Sequence, residues 1–323
     1  MTGAALAVLS ALAIAFAAFS RRLGAFWVSP AMFFVAGGLV TGSVGLGWLR
    51  VNAENQTVRA LAEATLTLLL FADASRIDLG RLRRGLGLPV RLLGIGLPLT
   101  IAAGTLAGLS ALPGLTVAEA LILAIVLAPT DAALGQAVVT DRRLPARIRQ
   151  ALNVESGLND GICVPLLFIA LAAAEAEDRL VSGSQAVHIV FQEIGGGLAG
   201  GVVAGLAGAF AVRLAVTRGL GEGSWIQVIP AATALLAYGL SAIPGGSGFI
   251  AAFVAGLVFG GLEKTGARQV TSLVDDAGEF LDAITLALFG AVLLGPLLGE
   301  LSWRSLLYAA LSLTLVRMAP VAL

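Results

Sequence analysis

The sequence predicts an all-α, polytopic membrane protein, and three observations carry that prediction. Apolar residues fill 58% of the 323 positions and charged residues only 12%, whereas a soluble domain carries roughly a quarter charged residues. The apolar residues gather into runs long enough to cross a bilayer as helices, which takes about 20 residues each. Glycine occupies 41 positions, and small residues let membrane helices approach closely. The mean hydropathy of +0.95 agrees. Continuous apolar runs exclude a porin-type barrel, whose strands alternate over about ten residues. One cysteine, Cys163, excludes a disulfide framework and a cysteine-ligated metal site, and one histidine, His188, excludes a multi-histidine site.

Roughly eleven spans meet the length criterion, at 3–20, 25–45, 57–74, 88–111, 117–139, 151–174, 185–214, 225–242, 246–261, 276–298 and 302–323. The linkers are short and none is polar enough for a soluble domain, so residues 1–323 read as one transmembrane domain. The first span lacks a basic start and reads as a retained helix, not a cleaved signal. Arg21 and Arg22 follow it. Arg76, Arg81, Arg83, Arg84 and Arg91 follow the third, and Arg142, Arg143, Arg147 and Arg149 the fifth. Arg213, Arg218, Lys264 and Arg268 come after the seventh and ninth. The alternate loops hold only Arg50, Arg59, Arg179 and Arg304. The positive-inside rule then places the N-terminus outside a cell inner (plasma) membrane.

Two spans depart from plain hydrophobicity. The fifth contains AIVLAPTDAALG at 124–135. Pro129 has no amide to donate and clashes with the carbonyl of Ile125, so the helix kinks or opens there. Asp131 follows within two residues, and a carboxylate at this depth costs roughly 2.5–3.5 kcal/mol on insertion scales. That cost argues for a discontinuous helix at Pro129, Thr130 and Asp131 that lines a cavity, over an ordinary kink. The sixth span opens on NVESGLNDG at 153–161. On a helix, Asn153, Ser156, Gly157 and Asp160 share one stripe, and Glu155 and Asn159 a neighbouring one. Pro165 removes the helical partner of the Gly161 carbonyl, which would add an oxygen nearby. For Glu155 a solvated helix end near Arg149 competes with a buried role. Asp160, deeper in the span, reads as functional.

The basic loop at 141–150 makes the fifth and sixth spans antiparallel neighbours. Asp131 and Asp160 each lie about ten residues from it, roughly 15 Å deep at 1.5 Å per residue, near the midplane. Thr130, Asp131, Glu155, Ser156, Asn159 and Asp160 thus converge. These are hard oxygen donors, suited to sodium, potassium, lithium or protons and unsuited to zinc or copper. A carboxylate held away from water can bind a proton near neutral pH. Asp160 would then hold a cation or a proton but not both, and competition of that kind, with access alternating between sides, is sufficient for cation/proton exchange.

Other features weigh less. Arg317 in the last span is either an inward helix end or a counter-charge for a carboxylate such as Glu155. His188 is either a pH sensor or an interfacial histidine. The run GGGLAGGVVAGLAGA at 195–209 has the spacing of helix packing, not of a nucleotide loop. Glu279 and Asp282 either form a cytoplasmic funnel or cap a helix.

APTDAALGQAVVTD followed by NVESGLNDG resembles the monovalent cation:proton antiporter-1 family, the bacterial NhaP-type and animal sodium/proton exchangers. LLLFADASRID at 68–78 and the late membrane arginine also match that family, and the resemblance covers nearly the whole chain. It implies an inverted-repeat antiporter fold with Asp160 as the ion- and proton-binding carboxylate and Asn159 beside it. Glu155, Ser156 and the Thr130 backbone would ligate the cation, Asp131 would act directly or through water, Arg317 would pair with Glu155, and Asp73 would support. The Asn-Asp pair resembles electroneutral exchangers, and a homodimer is implied. No cofactor beyond the transported ions, no enzymatic activity and no nucleic-acid partner is expected. A later glycine- and arginine-containing span is expected after Leu323, so the chain reads as C-terminally incomplete. Two rival readings remain. An intramembrane aspartyl protease would use Asp131 and Asp160, but its Tyr-Asp and Gly-x-Gly-Asp motifs are missing. A cation channel would need a filter that the sequence does not show.

Overall fold

The computed structural model describes residues 3–26, 28–49, 51, 55–77, 87–129, 146–177, 183–263 and 270–322, and the regular elements among them are all helical. In chain order they are α1 (Gly3–Ala25), α2 (Pro30–Thr41), α3 (Gln56–Ser75), α4 (Gly87–Arg91), α5 (Leu97–Ala111), α6 (Val117–Leu127), α7 (Ala146–Glu177), α8 (Gly183–Thr217), α9 (Gly223–Ala242), α10 (Gly248–Leu262), α11 (Ser272–Leu288), α12 (Gly295–Leu297), α13 (Trp303–Leu311) and α14 (Arg317–Ala322). Every expected span falls on one of these or on a run of them; the fifth is described only through Pro129. Among the described residues five stretches are long and apolar enough to cross a bilayer: Gly3–Ala25, Leu92–Ala111, Val187–Thr217, Gly223–Ala242 and Ser272–Glu300.

Capping chemistry sets helix boundaries, at α2 against the hydropathy reading. The second span was expected from residue 25, yet α1 runs to Ala25 and α2 starts at Pro30. Ser29 is the reason: its hydroxyl accepts from the Met32 amide and Pro30 fills the first helical position, where its missing N–H costs nothing. At α6, Thr116 and Glu119 form a reciprocal capping box.

Among the described residues three π-helical turns interrupt the long helices, at Leu92–Gly96, Phe289–Leu294 and Ser312–Val316. Each lies just before a proline: Pro98, Pro296 and Pro320. In each case the carbonyl four residues before the proline, on Gly94, Val292 or Val316, falls inside the π turn. A proline leaves that carbonyl without a donor and crowds it, and the wider turn relieves the clash.

The described residues form two compact units. The first comprises Met1–Leu69 and Leu273–Leu301. Its core joins Ala5 and Leu9 of α1, Phe34 of α2, Leu49, and Ala287, Leu288 and Ala291, with the rings of Phe16, Phe33 and Phe34 5.2–5.4 Å apart. Among the described residues a polar contact crosses this apolar unit: the hydroxyls of Thr65 on α3 and Thr285 on α11 lie 3.1 Å apart, so that one donates to the other while the acceptor donates to the carbonyl four residues back on its own helix. A double-mutant cycle with Thr65→Val and Thr285→Val should return a coupling near 0.6 kcal/mol, the scale of interhelical hydrogen bonds in lipid.

The second unit comprises Leu70–Ser272 and Ser302–Leu323. Within it α8 packs against α9 and α10 along two glycine stripes. Gly197, Gly201 and Gly205, four residues apart, lie on α10, where an added methyl would meet Ile250, the Ala251 carbonyl and the Ala255 carbonyl within 2.9 Å. Gly200 and Gly208 face Ser241 and Thr233 of α9 in the same way. The glycine run is therefore a packing surface, as its spacing predicted. The other half of this unit pairs α5 with α6, α6 with α7, and lays α13, the following π turn and α14 along α5.

Candidate ion site

α7 runs without interruption from Ala146 to Glu177, Pro165 included, and puts the backbone of Asp160 near its midpoint. Buried contacts fix the helix on both flanks. Cys163 and Ala170 share a core cluster with Leu97 and Ile101 of α5 and Ala124, Ile125 and Ala128 at the end of α6. Leu158 and Val164 pack instead on Leu70 and Ala74 of α3, Ile77 just beyond it, and Phe253 of α10. Protein thus flanks α7 at Leu158, Cys163, Val164 and Ala170.

Two of the expected site residues meet directly. Asn159 is completely buried, and its side-chain amide donates to Oε1 of Glu155, one turn earlier, at 3.5 Å. Glu155 is half-buried. An amide donor bound to a carboxylate fixes the rotamer of the acid and leaves an oxygen-rich patch next to the Asp160 backbone. Removing that donor leaves part of a carboxylate undersatisfied. Asn159→Ala should cost about 1.5 kcal/mol of stability, at the low end for charged hydrogen bonds given the long distance. Thermal unfolding in detergent would measure it.

α6 ends at Leu127, and the Ala128 amide closes a tight turn onto the Ile125 carbonyl at 3.3 Å. The helix thus stops just before Pro129, where the sequence placed the discontinuity. Thr130 and Asp131 lie outside the described residues, as do the side chains of Ser156 and Asp160, although the backbone of the latter two is on α7. Arg317 comes to the same place from α14: its Nη1 donates to the Pro129 carbonyl at 3.5 Å. A cation is well placed there, because the last carbonyls of a helix have no partners and carry the negative end of its dipole. Asp73, on the part of α3 in this unit, lies 3.8 Å from Arg76 one turn on.

One requirement of the site was not anticipated. Gly161, directly after Asp160, lies under the Phe253 ring, and a methyl there would overlap it. The available signal was a glycine at mid-helix, which costs about 1 kcal/mol relative to alanine and so marks a close approach. Gly161→Ala should therefore displace Phe253 and lower Tm, unlike the usual helix-stabilising result; a differential scan of the two proteins checks the sign.

The family model described as sodium/hydrogen exchanger, transmembrane, matches residues 7–323. The chain belongs to the sodium/hydrogen exchanger family. Among relatives in that company, a K(+)/H(+) antiporter, NhaP2, of Shewanella sp. (strain MR-4) is 25% identical over 272 residues, which are 83% of this chain and 45% of that protein. A Na(+)/H(+) antiporter of Saccharomyces cerevisiae is 31% identical over 147 residues, 42% of this chain and 14% of that protein. The chain thus spans less than half the length of the curated relatives it matches. The fold is similar to that of the sodium proton antiporter MjNhaP1 from Methanocaldococcus jannaschii, with a TM-score of 0.76 over 98% of this chain and 77% of that one at 20% identity. The exchanger fold expected from the motifs is borne out.

Proposed function

We propose that the protein exchanges a monovalent cation for protons by competition at Asp160, with access to the site alternating between the two sides of the membrane. The observation that carries this reading is the hydrogen bond of buried Asn159 to half-buried Glu155 on α7, with Asn159 next to Asp160 in a chain of the exchanger family. Asp160 binds the cation or the proton. Glu155, Ser156 and the backbone of Thr130 supply further oxygens, Asp131 acts directly or through water, and Arg317 and Asp73 support the arrangement. Sodium is the first choice of cation; potassium and lithium are served by the same donors. Exchange is one for one, by the resemblance of the Asn-Asp pair. The chain sits in the plasma membrane with its N-terminus outside, a reading supported by its arginine distribution, and acts as a homodimer. Family membership favours exchange over the protease and channel readings.

The test is cation-driven proton movement in inside-out vesicles. Sodium or potassium should dequench a pH-sensitive dye in vesicles carrying the protein and not in empty ones. No response from this chain or from one extended at its C-terminus would sink the proposal.

A further inference from the structure

Two contacts fix the rotation of the last helical run about its axis. The Tyr308 hydroxyl on α13 donates to the Gly104 carbonyl of α5 at 3.4 Å, and Arg317 on α14 donates to the Pro129 carbonyl beyond α6. α5 and α6 are packed neighbours, so both anchors must project to the same side. A regular α-helix does not allow this. Nine residues at roughly 100° each turn through two and a half revolutions and leave the two side chains on opposite faces. Between them lies the π turn Ser312–Val316, which absorbs about one extra residue of rotation, roughly 100°. The anchors then stand about 80° apart, close enough to share a face.

Burial along the run agrees. Tyr308, Val316 and Pro320 are buried, whereas Leu313, Thr314 and Leu315 at the turn are exposed. Eight regular residues would set Val316 about 80° from Tyr308; with one residue absorbed the offset falls to roughly 20°. The continuous contact of α13, the π turn and α14 with α5 follows from that restored phase.

We propose that the π turn Ser312–Val316 is a phase-setting device that aims Arg317 at the open end of α6 while Tyr308 stays anchored on α5. Arg317 is thereby a positioning residue: it holds the carbonyl end of the helix that stops at Pro129. The turn has a local cause, since Pro320 strips the Val316 carbonyl of its α-helical donor. The inference rests on the described contacts and does not depend on what the protein transports.

Changing the length of the turn tests it. Deleting the exposed Thr314 shortens the run by one residue and leaves both anchors within about 80° of each other, whether or not a wide turn persists before Pro320. Inserting an alanine after Thr314 adds a further 100° and throws Arg317 off the break. The readout is amide hydrogen exchange of the peptide over residues 120–128 in nanodiscs, with Arg317→Ala as reference and α8–α10 as folding control. Deletion of Thr314 should keep the parent's protection at 120–128. The insertion and Arg317→Ala should both speed exchange there, by about tenfold for the loss of a helix-end cap worth 1.4 kcal/mol. If deleting Thr314 costs as much protection as Arg317→Ala, the phase argument is wrong. Should the insertion also expose α8–α10, the deletion alone decides, retained protection supporting the proposal and lost protection overturning it.

Discussion

Asp160→Asn should bring cation-dependent proton movement down to the level of empty vesicles. Asparagine matches aspartate in shape but can neither carry a charge to hold a cation nor gain and lose a proton near neutral pH. If one group alternates between those two cargoes, its removal abolishes both half-reactions together. A residue that merely positioned the cation would behave differently, raising KM while leaving proton movement measurable at high salt. Placement of the backbone at the middle of the 32-residue α7 suits that role. Survival of exchange in Asp160→Asn, at any cation concentration, would move the titrating function elsewhere on the chain. Asp131 would then be the next candidate.

Gly201→Leu should be severely damaging to packing. At Gly201 an added methyl already falls 2.5 Å from the Ala251 carbonyl and 2.8 Å from Val254. The obstacle on one side is α10 backbone, which cannot rotate away as a side chain would. Overpacking costs about 1–3 kcal/mol where the surroundings yield, and here they yield only if α8 and α10 part along the whole stripe. Gly201→Leu should lower Tm in detergent and reduce the folded yield sharply. By contrast, Gly195→Ala, at a position open to its surroundings, should be neutral or slightly stabilising. Equal effects from the two would show that α8 and α10 do not touch at this stripe.

The sequence made the fold legible because lipid imposes a simple grammar: spans must be long, apolar and helical. The glycines four residues apart on α8 also announced themselves, since that interval places them on one face. The stop before Pro129 and the pairing of Glu155 with Asn159 followed from equally local rules, a missing amide and a one-turn spacing. Properties that depend on distant partners were not readable. Nothing near Arg317 names the Pro129 carbonyl, and regular helix arithmetic would have turned Arg317 away from Tyr308's face. Ser29 could have corrected the start of α2, because a serine before a proline is a capping signal even inside an apolar run. The roles of Thr130, Asp131, Ser156 and Asp160 rest on chemistry and resemblance.

The three helices of the glycine seam differ greatly in length: α8 has 35 residues, α9 has 20 and α10 has 15. At 1.5 Å per residue they measure about 52, 30 and 22 Å, beside a hydrocarbon layer of about 30 Å. Locked backbone to backbone, they cannot each choose a tilt that suits the bilayer. A change in acyl-chain length must therefore tip the trio as one body, with the short α10 drawing lipid thinner on its side and the long α8 leaning or protruding. Membrane thickness thereby becomes a mechanical input to this part of the protein, and through the Phe253 ring on Gly161 it reaches the helix that carries Asp160.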